Sequence, residues 1–289
     1  MAKNLLLTQQ WYDLLGHLVA HKGDVQFHPL LISILKKITP FEHTVIIAYP
    51  DKARPHHVYN DLPGEQVKPS LDTYFAGAYL LDPLYNACQT HLQEGYYRLR
   101  QLAPDEFYKT EYYRTYYKGT RLKEEVGLLV EVSDSMRVLV SMGIRDPEKS
   151  LSNADLAVLD TIWPLLVVIC RQHWQQLDLT ASAEYHKEHD EHRLGQPLDL
   201  AFQNFGRNHL SERECEIVHL VLKGHSSNSI AELLSISSDT VKAHRKHVHA
   251  KLQISSQAEL FSLFIDAISL VPMGSMEDPL TLYYTDQTE

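Results

Sequence analysis

The stretch "LSERECEIVHLVLKG", from Leu210 to Gly224, constrains the fold more than any other part of the chain. Ser211 precedes Glu214 by three residues, the spacing of a capping box in which each side chain satisfies a free backbone amide at a helix start. Ile217, Val218, Leu220 and Val221 then form an apolar stripe, and Gly224 stands where a left-handed cap ends a helix. A second helix, "SNSIAELLS", follows at once with Ser226 as its cap; Ile230, Ala231, Leu233 and Leu234 are its apolar positions. The short turn "ISS" leads into a third helix, "DTVKAHRKHVHAKL", and "SQAELFSLFIDAI" makes a fourth. Four short helices with tight turns define a helix-turn-helix unit with one extra helix.

The third helix is basic inside an acidic chain. The whole sequence carries 27 Lys+Arg against 37 Asp+Glu, a net charge of −10. From Asp239 to Leu252 the balance reverses, with Lys242, Arg245, Lys246 and Lys251 against Asp239 alone. Val241, His244, Val248 and Leu252 fall at helical spacing and face inward, whereas Lys242, Ala243 and Lys246 lie on another face. A recognition helix needs this division: small and cationic side chains meet base edges, and further cations meet phosphates. A globally acidic protein can meet a polyanion only through such a local patch.

Residues 210–262 resemble the DNA-binding domain of the LuxR/NarL family of bacterial transcription regulators. The matching pieces are "LSERE", Gly224, "IAELLSIS", "TVKAH" and Lys251-Leu252. The resemblance implies that Glu214, Val218 and Gly224 hold the scaffold. It implies that Lys242, Ala243 and Lys246 face bases, with Thr240, His247 and Lys251 near the DNA backbone. Arg245 and His249 read equally as backbone contacts or as exposed solubility residues, and His244 as a core or hinge residue. Two departures stand out: "SSNS" (Ser226 to Ser229) replaces the family's usual "SNKE", and Gln253 and Gln257 replace a common Gly and Arg. Those losses remove cations and weaken non-specific phosphate binding. In this family the fourth helix commonly dimerises, which here points to Leu260, Phe261 and Phe264; the other reading of that apolar surface is packing within the chain. A two-fold dimer would bind an inverted repeat of double-stranded DNA.

At 289 residues with 44% hydrophobic content, the chain has room for two cores. The expected organisation is a sensor domain over 1–179, a polar linker over 180–208, the DNA-binding domain over 209–270 and a loose tail over 271–289. "HTVIIAYP", "HHVYN", "EVGLLVEVS" and "MRVLVSMGI" read as strands, and Asn153 to Leu177 as a long helix capped through Ser152 and Asn153. The fold class is therefore α+β, an antiparallel sheet flanked by helices, followed by an all-α four-helix domain. No run of about 18 uncharged apolar residues suggests a membrane span. Cys88, Cys170 and Cys215 are odd in number and far apart, which suits a reducing cytoplasm and fits no zinc motif.

The first domain offers a candidate ligand site. "YFAGAYLLDPLY", Tyr74 to Tyr85, resembles the signal-binding region of autoinducer-type LuxR regulators, where an aspartate before a proline meets the ligand's polar head. That resemblance points to Asp82 and Tyr74, although Asp82 also reads as a helix cap before Pro83. The pocket tryptophan of acyl-homoserine-lactone receptors has no counterpart in "GEQVKPSLDTY". Seven of the sixteen tyrosines lie between Tyr96 and Tyr117, and Tyr108, Tyr112 and Tyr116 share a four-residue spacing. They read either as the aromatic wall of a pocket or as ordinary packing. With "EEVGLLVEV" the segment also looks like GAF/PAS-like sensor domains. A phosphoacceptor receiver is excluded because "HTVIIAYP" ends without an acidic pair. His186, His189 and His192 do not share one helical face and read as solvated linker.

No nucleophile elbow, phosphate loop or metal-ligand set marks an enzyme, and no catalytic residue, metal or cofactor is expected. The implied partners are DNA, an unidentified small molecule, a second copy of the chain and RNA polymerase, with no membrane. The competing reading is a ligand-independent DNA-binding regulator whose N-terminal domain only dimerises or binds another protein.

Overall fold

A computed structural model describes residues 6–51, 53–63, 71–72, 74–90, 92–176, 198–272 and 275–287. In chain order its elements are α1 (Gln9–Ala20), α2 (Phe27–Ile38), β1 (His43–Pro50), β2 (His56–Asn60), α3 (Pro83–Gln89), β3 (Gly95–Arg98), β4 (Glu124–Ser133), β5 (Met136–Ile144) and α4 (Asn153–Gln176). They continue with α5 (Asp199–Asn204), α6 (Glu212–Lys223), α7 (Ser227–Leu233), α8 (Ser238–Leu252), α9 (Gln257–Ser269) and α10 (Pro279–Asp286). The chain divides into two compact units. One gathers Met1–Gln66, His91–Gln101 and Leu122–Glu191; the other gathers Val67–Thr90, Leu102–Arg121 and His192–Glu289. An unbroken N-terminal domain over 1–179 is thus not how the chain divides: two of its segments group with the C-terminal helices.

The first unit is built on a five-stranded antiparallel sheet in the order β2-β1-β5-β4-β3. β4 and β5 form a hairpin in which Ser133 faces Met136 across Asp134-Ser135. Period-two alternation puts Val126, Leu128, Val130 and Val132 of β4 on one face with Val138, Val140, Met142 and Ile144 of β5. That face is buried with Leu15 and Leu18 of α1, Leu31 and Leu35 of α2, and Ile162, Leu166 and Trp174 of α4. Each such side chain contributes about 1.5–3 kcal/mol by leaving water. α4 is long and apolar enough to cross a membrane by length and composition alone. Its inner face, with Cys170, belongs to the sheet core, whereas Leu165 and Val168 remain exposed. β3 was not anticipated. It is only four residues long and lies at the sheet edge, so periodicity had little to act on.

Two buried histidines in this unit have assigned proton positions. The Gly23 amide donates to His173 Nδ1 at 2.9 Å, which leaves Nε2–H to donate to His28 Nε2 at 3.3 Å. Trp174 Nε1–H donates to the same His28 nitrogen at 3.2 Å. Both rings are neutral. Burial, then the neighbouring His57, lowers His28 to about 4. Burial, then His28, lowers His173 to about 3.

In the second unit, serines cap all four helices α6 to α9. Ser211, Ser226, Ser237 and Ser256 each accept the amide three residues on. Ser211 and Glu214 complete the expected capping box, and Gly224 ends α6 in the left-handed region at φ 100°. Two expectations are corrected. Part of the supposed linker is α5, which buries Ala201 and Phe202, followed by the fully buried Phe205. The supposed loose tail contains α10, whose cap Asp278 is fully buried and accepts the amides of Gly206 and Asn208 at 2.8 Å and of Leu280 at 2.9 Å. Both failed in the sequence because their anchoring partners lie about 70 residues away.

The tyrosine-rich segment is not a regular helix. A 3-10 turn at Phe107–Lys109, a π turn at Tyr112–Tyr116 and a 3-10 turn at Tyr117–Thr120 replace it. The four-residue stripe therefore does not form. Tyr108 is 48% exposed, while Tyr112 is 1% exposed.

Candidate nucleic-acid interface

α8 presents two faces, as its spacing requires. Val241, Val248 and Leu252 are buried, whereas Thr240, Lys242, Ala243, Lys246 and His247 are exposed. Ser237 starts the helix by accepting the Thr240 amide at 3.0 Å, and its hydroxyl lies 2.7 Å from Thr240 Oγ1. Lys242 is 3.0 Å from Asp239 Oδ1 in an exposed pair that water screens, so the lysine can exchange partners freely. Lys246 and His247 continue the outward row one turn later. A helix so divided can place lysine ammonium groups and a small residue in a major groove.

Two of the expected DNA-contacting cations have structural partners. Arg245 donates to Ser227 Oγ at 3.1 Å and to Gln257 Oε1 at 3.4 Å, tying α8 to α7 and α9. Lys251 donates to Glu214 Oε2 at 2.6 Å. Burial alone pushes the Glu214 carboxyl up, but hydrogen bonds from Lys251 and Ser211 outweigh it and hold the group at about 2. Lys251 is thus partly a scaffold residue, still 46% exposed at its side chain.

The expected dimerisation residues are corrected in part. Leu260 is 2% exposed and Phe264 fully buried, because Phe264 packs edge-on against Phe202 at 5.4 Å and Phe205 at 5.3 Å. Only Phe261 of the three is half-buried. Part of the apolar surface of α9 is therefore covered by Phe202 of α5 and by Phe205, which follows it, within the stretch expected to be linker.

The expected ligand residues separate into two groups. Tyr74 donates to Asp82 Oδ2 at 2.9 Å, and Asp82 Oδ1 accepts the Leu84 amide at 2.8 Å. Asp82 therefore both caps α3 and holds a buried tyrosine. Tyr108 and Tyr112 instead surround Phe107, at ring distances of 5.3 and 5.9 Å. The side chain of Tyr116 and residues His186, His189 and His192 lie outside the described residues.

Several contacts had no sequence signal. Asp105 Oδ1 accepts the Ser226 amide at 2.9 Å, and the Glu106 amide donates to the Gly224 carbonyl at 2.9 Å. Tyr85 donates to the Asp199 carboxylate at 2.7 Å. These bonds fasten the segments at 67–90 and 102–121 to the helices of the second unit.

A capped helix-turn-helix with a basic, exposed face on its third helix defines a DNA-binding regulator. A family model described as bacterial regulatory proteins, luxR family, matches residues 208–264. A relative described as "Putative HTH-type transcriptional regulator in exeN 3'region", from Aeromonas salmonicida, is 34% identical over 198 residues, covering 68% of this chain and 100% of the relative. The chain belongs to this luxR family of transcription regulators, which is not a family of enzymes. The oxygen regulatory protein NreC of Staphylococcus epidermidis is 47% identical over 51 residues, which cover 18% of this chain and 23% of NreC. Among solved structures, the VqsR LBD domain from Pseudomonas aeruginosa aligns with a TM-score of 0.53 and 21% identity, over 59% of this chain and 99% of that one. That likeness establishes a shared α+β fold.

Proposed function

We propose that the chain is a cytoplasmic, sequence-specific regulator that binds an inverted-repeat operator as a homodimer, and that its N-terminal region senses a small molecule. The observation that carries the DNA reading is the outward row Lys242, Ala243, Lys246 and His247 on a helix whose other face is buried. Lys242 and Lys246 face base edges in this reading, with Thr240, His247, Lys251 and Arg245 toward phosphates. Phe261 is the remaining α9 candidate for a dimer contact, and RNA polymerase is the downstream partner.

The test uses duplexes selected from a random library on the full-length protein. Lys242→Ala and Lys246→Ala should each weaken binding of the selected sequence about tenfold, the scale of one base contact, with unchanged unfolding curves. Undiminished affinity in both variants rejects the base-contact assignment.

The sensor reading is supported by the fold shared with a domain named as an LBD and by the buried pair Tyr74–Asp82, a polar point in an aromatic cluster. Small-molecule sites combine an apolar wall with a few such polar groups. Native against denaturing mass spectrometry of protein from its own host tests it. A non-covalent adduct that Asp82→Ala abolishes supports the sensor. Unadorned dimer mass favours the competing reading, in which the N-terminal region serves dimerisation or another protein; the full burial of Tyr112 among rings is the observation on that side.

A further inference from the structure

Beside the outward face of α8 lies a cluster that DNA binding does not explain. Glu214, His244 and His247 each offer one ligand atom, and these atoms all lie within 4.8 Å of one another. The geometry follows from the two helices. His244 and His247 are three residues apart on α8, so the half-buried and the exposed ring are neighbours at the edge between its two faces. Glu214 enters from the first turn of α6, fixed in its capping box.

Two further observations point to a missing partner. His244 Nδ1 is buried and makes no hydrogen bond. A buried ring nitrogen without a partner requires an explanation, of which an ion or a water is the usual one. On Glu214, the bonds from the Ser211 amide at 2.8 Å, the Ser211 hydroxyl at 3.0 Å and Lys251 Nζ at 2.6 Å all go to Oε2. None of them uses Oε1. The carboxylate is therefore oriented by one oxygen and keeps the other, as the outer partners of a metal-ligating carboxylate do.

We propose that Glu214, His244 and His247 form a binding site for a divalent late first-row cation, zinc above all, that links the first turn of α6 to the recognition helix α8. Two imidazoles and one carboxylate are borderline donors suited to zinc, nickel or copper rather than to magnesium or calcium, and they leave one tetrahedral position for water. Lys251 opposes the cation at the shared carboxylate. Its half-exposed ammonium can swing into solvent, at a cost that leaves the affinity below that of a structural zinc finger. Occupancy draws His247 back from the outward row and so couples cation level to DNA affinity. That consequence rests on the DNA reading, whereas metal binding itself does not.

The experiment is calorimetric titration of zinc into the full-length chain with His186, His189 and His192 replaced by Gln, to remove competition from that histidine run. One zinc per chain is expected, with a raised melting temperature. His247→Asn, an exposed change that leaves the fold intact, should weaken binding by about tenfold or more, through loss of one of three ligands. His249→Gln, one turn-neighbour outside the cluster, should leave it unchanged. Cobalt in place of zinc should give a visible spectrum without thiolate charge transfer. Absence of binding, an unchanged isotherm in His247→Asn, or a thiolate band implicating Cys215 would each overturn the proposal. Failure of DNA binding in the same proteins would bear on the regulator reading alone.

Discussion

Within the second unit, α6 to α9 and the segments at 74–90 and 102–120 are stabilised by different kinds of contact. The four helices start at serines whose hydrogen bonds span three residues, with Ser226 to Ser229 at 3.1 Å and Ser256 to Glu259 at 3.2 Å. These two segments instead reach partners more than 100 residues away: Tyr85 on Asp199, Leu198 on Tyr79, Ser226 on Asp105. The turns of the later segment are short 3-10 and π pieces that no local propensity favours. Local contacts make structure readable from sequence, and distant contacts make it depend on the assembled core.

That contrast can be broken by substitution. The largest effect is expected where a distant contact sits inside the helical region itself. Asp278→Ala strands three amides around Gly206, Asn208 and Leu280, and should cost about 3 kcal/mol or more in denaturant unfolding. A loss below about 1 kcal/mol would show that α10 is held by apolar packing alone.

Acid should act on both units through depressed imidazoles. His28 and His219 are lowered from 6.5 to about 4, in each case first by burial. A folded pKa below the unfolded one means that the unfolded chain takes up the proton first. Stability is therefore full above pH 6.5 and falls as pH drops toward 4, by roughly 3 kcal/mol for a well-buried ring such as His28. Urea midpoints that stay constant between pH 7 and 4 would contradict this.

The smaller changes sharpen the comparison directly. Tyr85→Phe removes a distant bond to a carboxylate and should lose about 1.5–3 kcal/mol without altering exchange of α8 amides. Ser237→Ala removes a local cap and should lose about 1 kcal/mol, with faster exchange confined to the first turn of α8. If Ser237→Ala proves the more damaging, the division between local and distant support is wrong.

The same physics decides what could be read in advance. Capping boxes, Gly224 and the two-faced α8 are encoded within a few residues, so the DNA-binding helices and their outward lysines were legible. So were the β4–β5 hairpin, through two apolar β-branched runs joined by a two-residue turn, and α4, through its length. Asp82 was legible as a cap because Pro83 follows it. By contrast, α5 and α10 looked polar and short, and only the burial of Phe202 and Leu280 against distant residues makes them helices worth forming. The four-residue spacing of Tyr108 and Tyr112 suggested a stripe, yet the backbone between them is not α-helical. Arg245 and Lys251 carried the right charge for DNA, but their partners Ser227, Gln257 and Glu214 come from other helices. Charge counting cannot distinguish a free cation from an engaged one.

Two buried cysteines, Cys170 and Cys215, give the molecule an internal clock. Burial pushes the Cys170 thiol up to about 12, and burial together with Asp278 and Glu214 pushes Cys215 up to about 11. Thiolate, the form that alkylating reagents attack, is then almost absent while the fold holds. Cys170 lies in the sheet unit and Cys215 in the helical one. The rate at which each acquires a label therefore times the opening of its own unit, in the native chain and without an added probe.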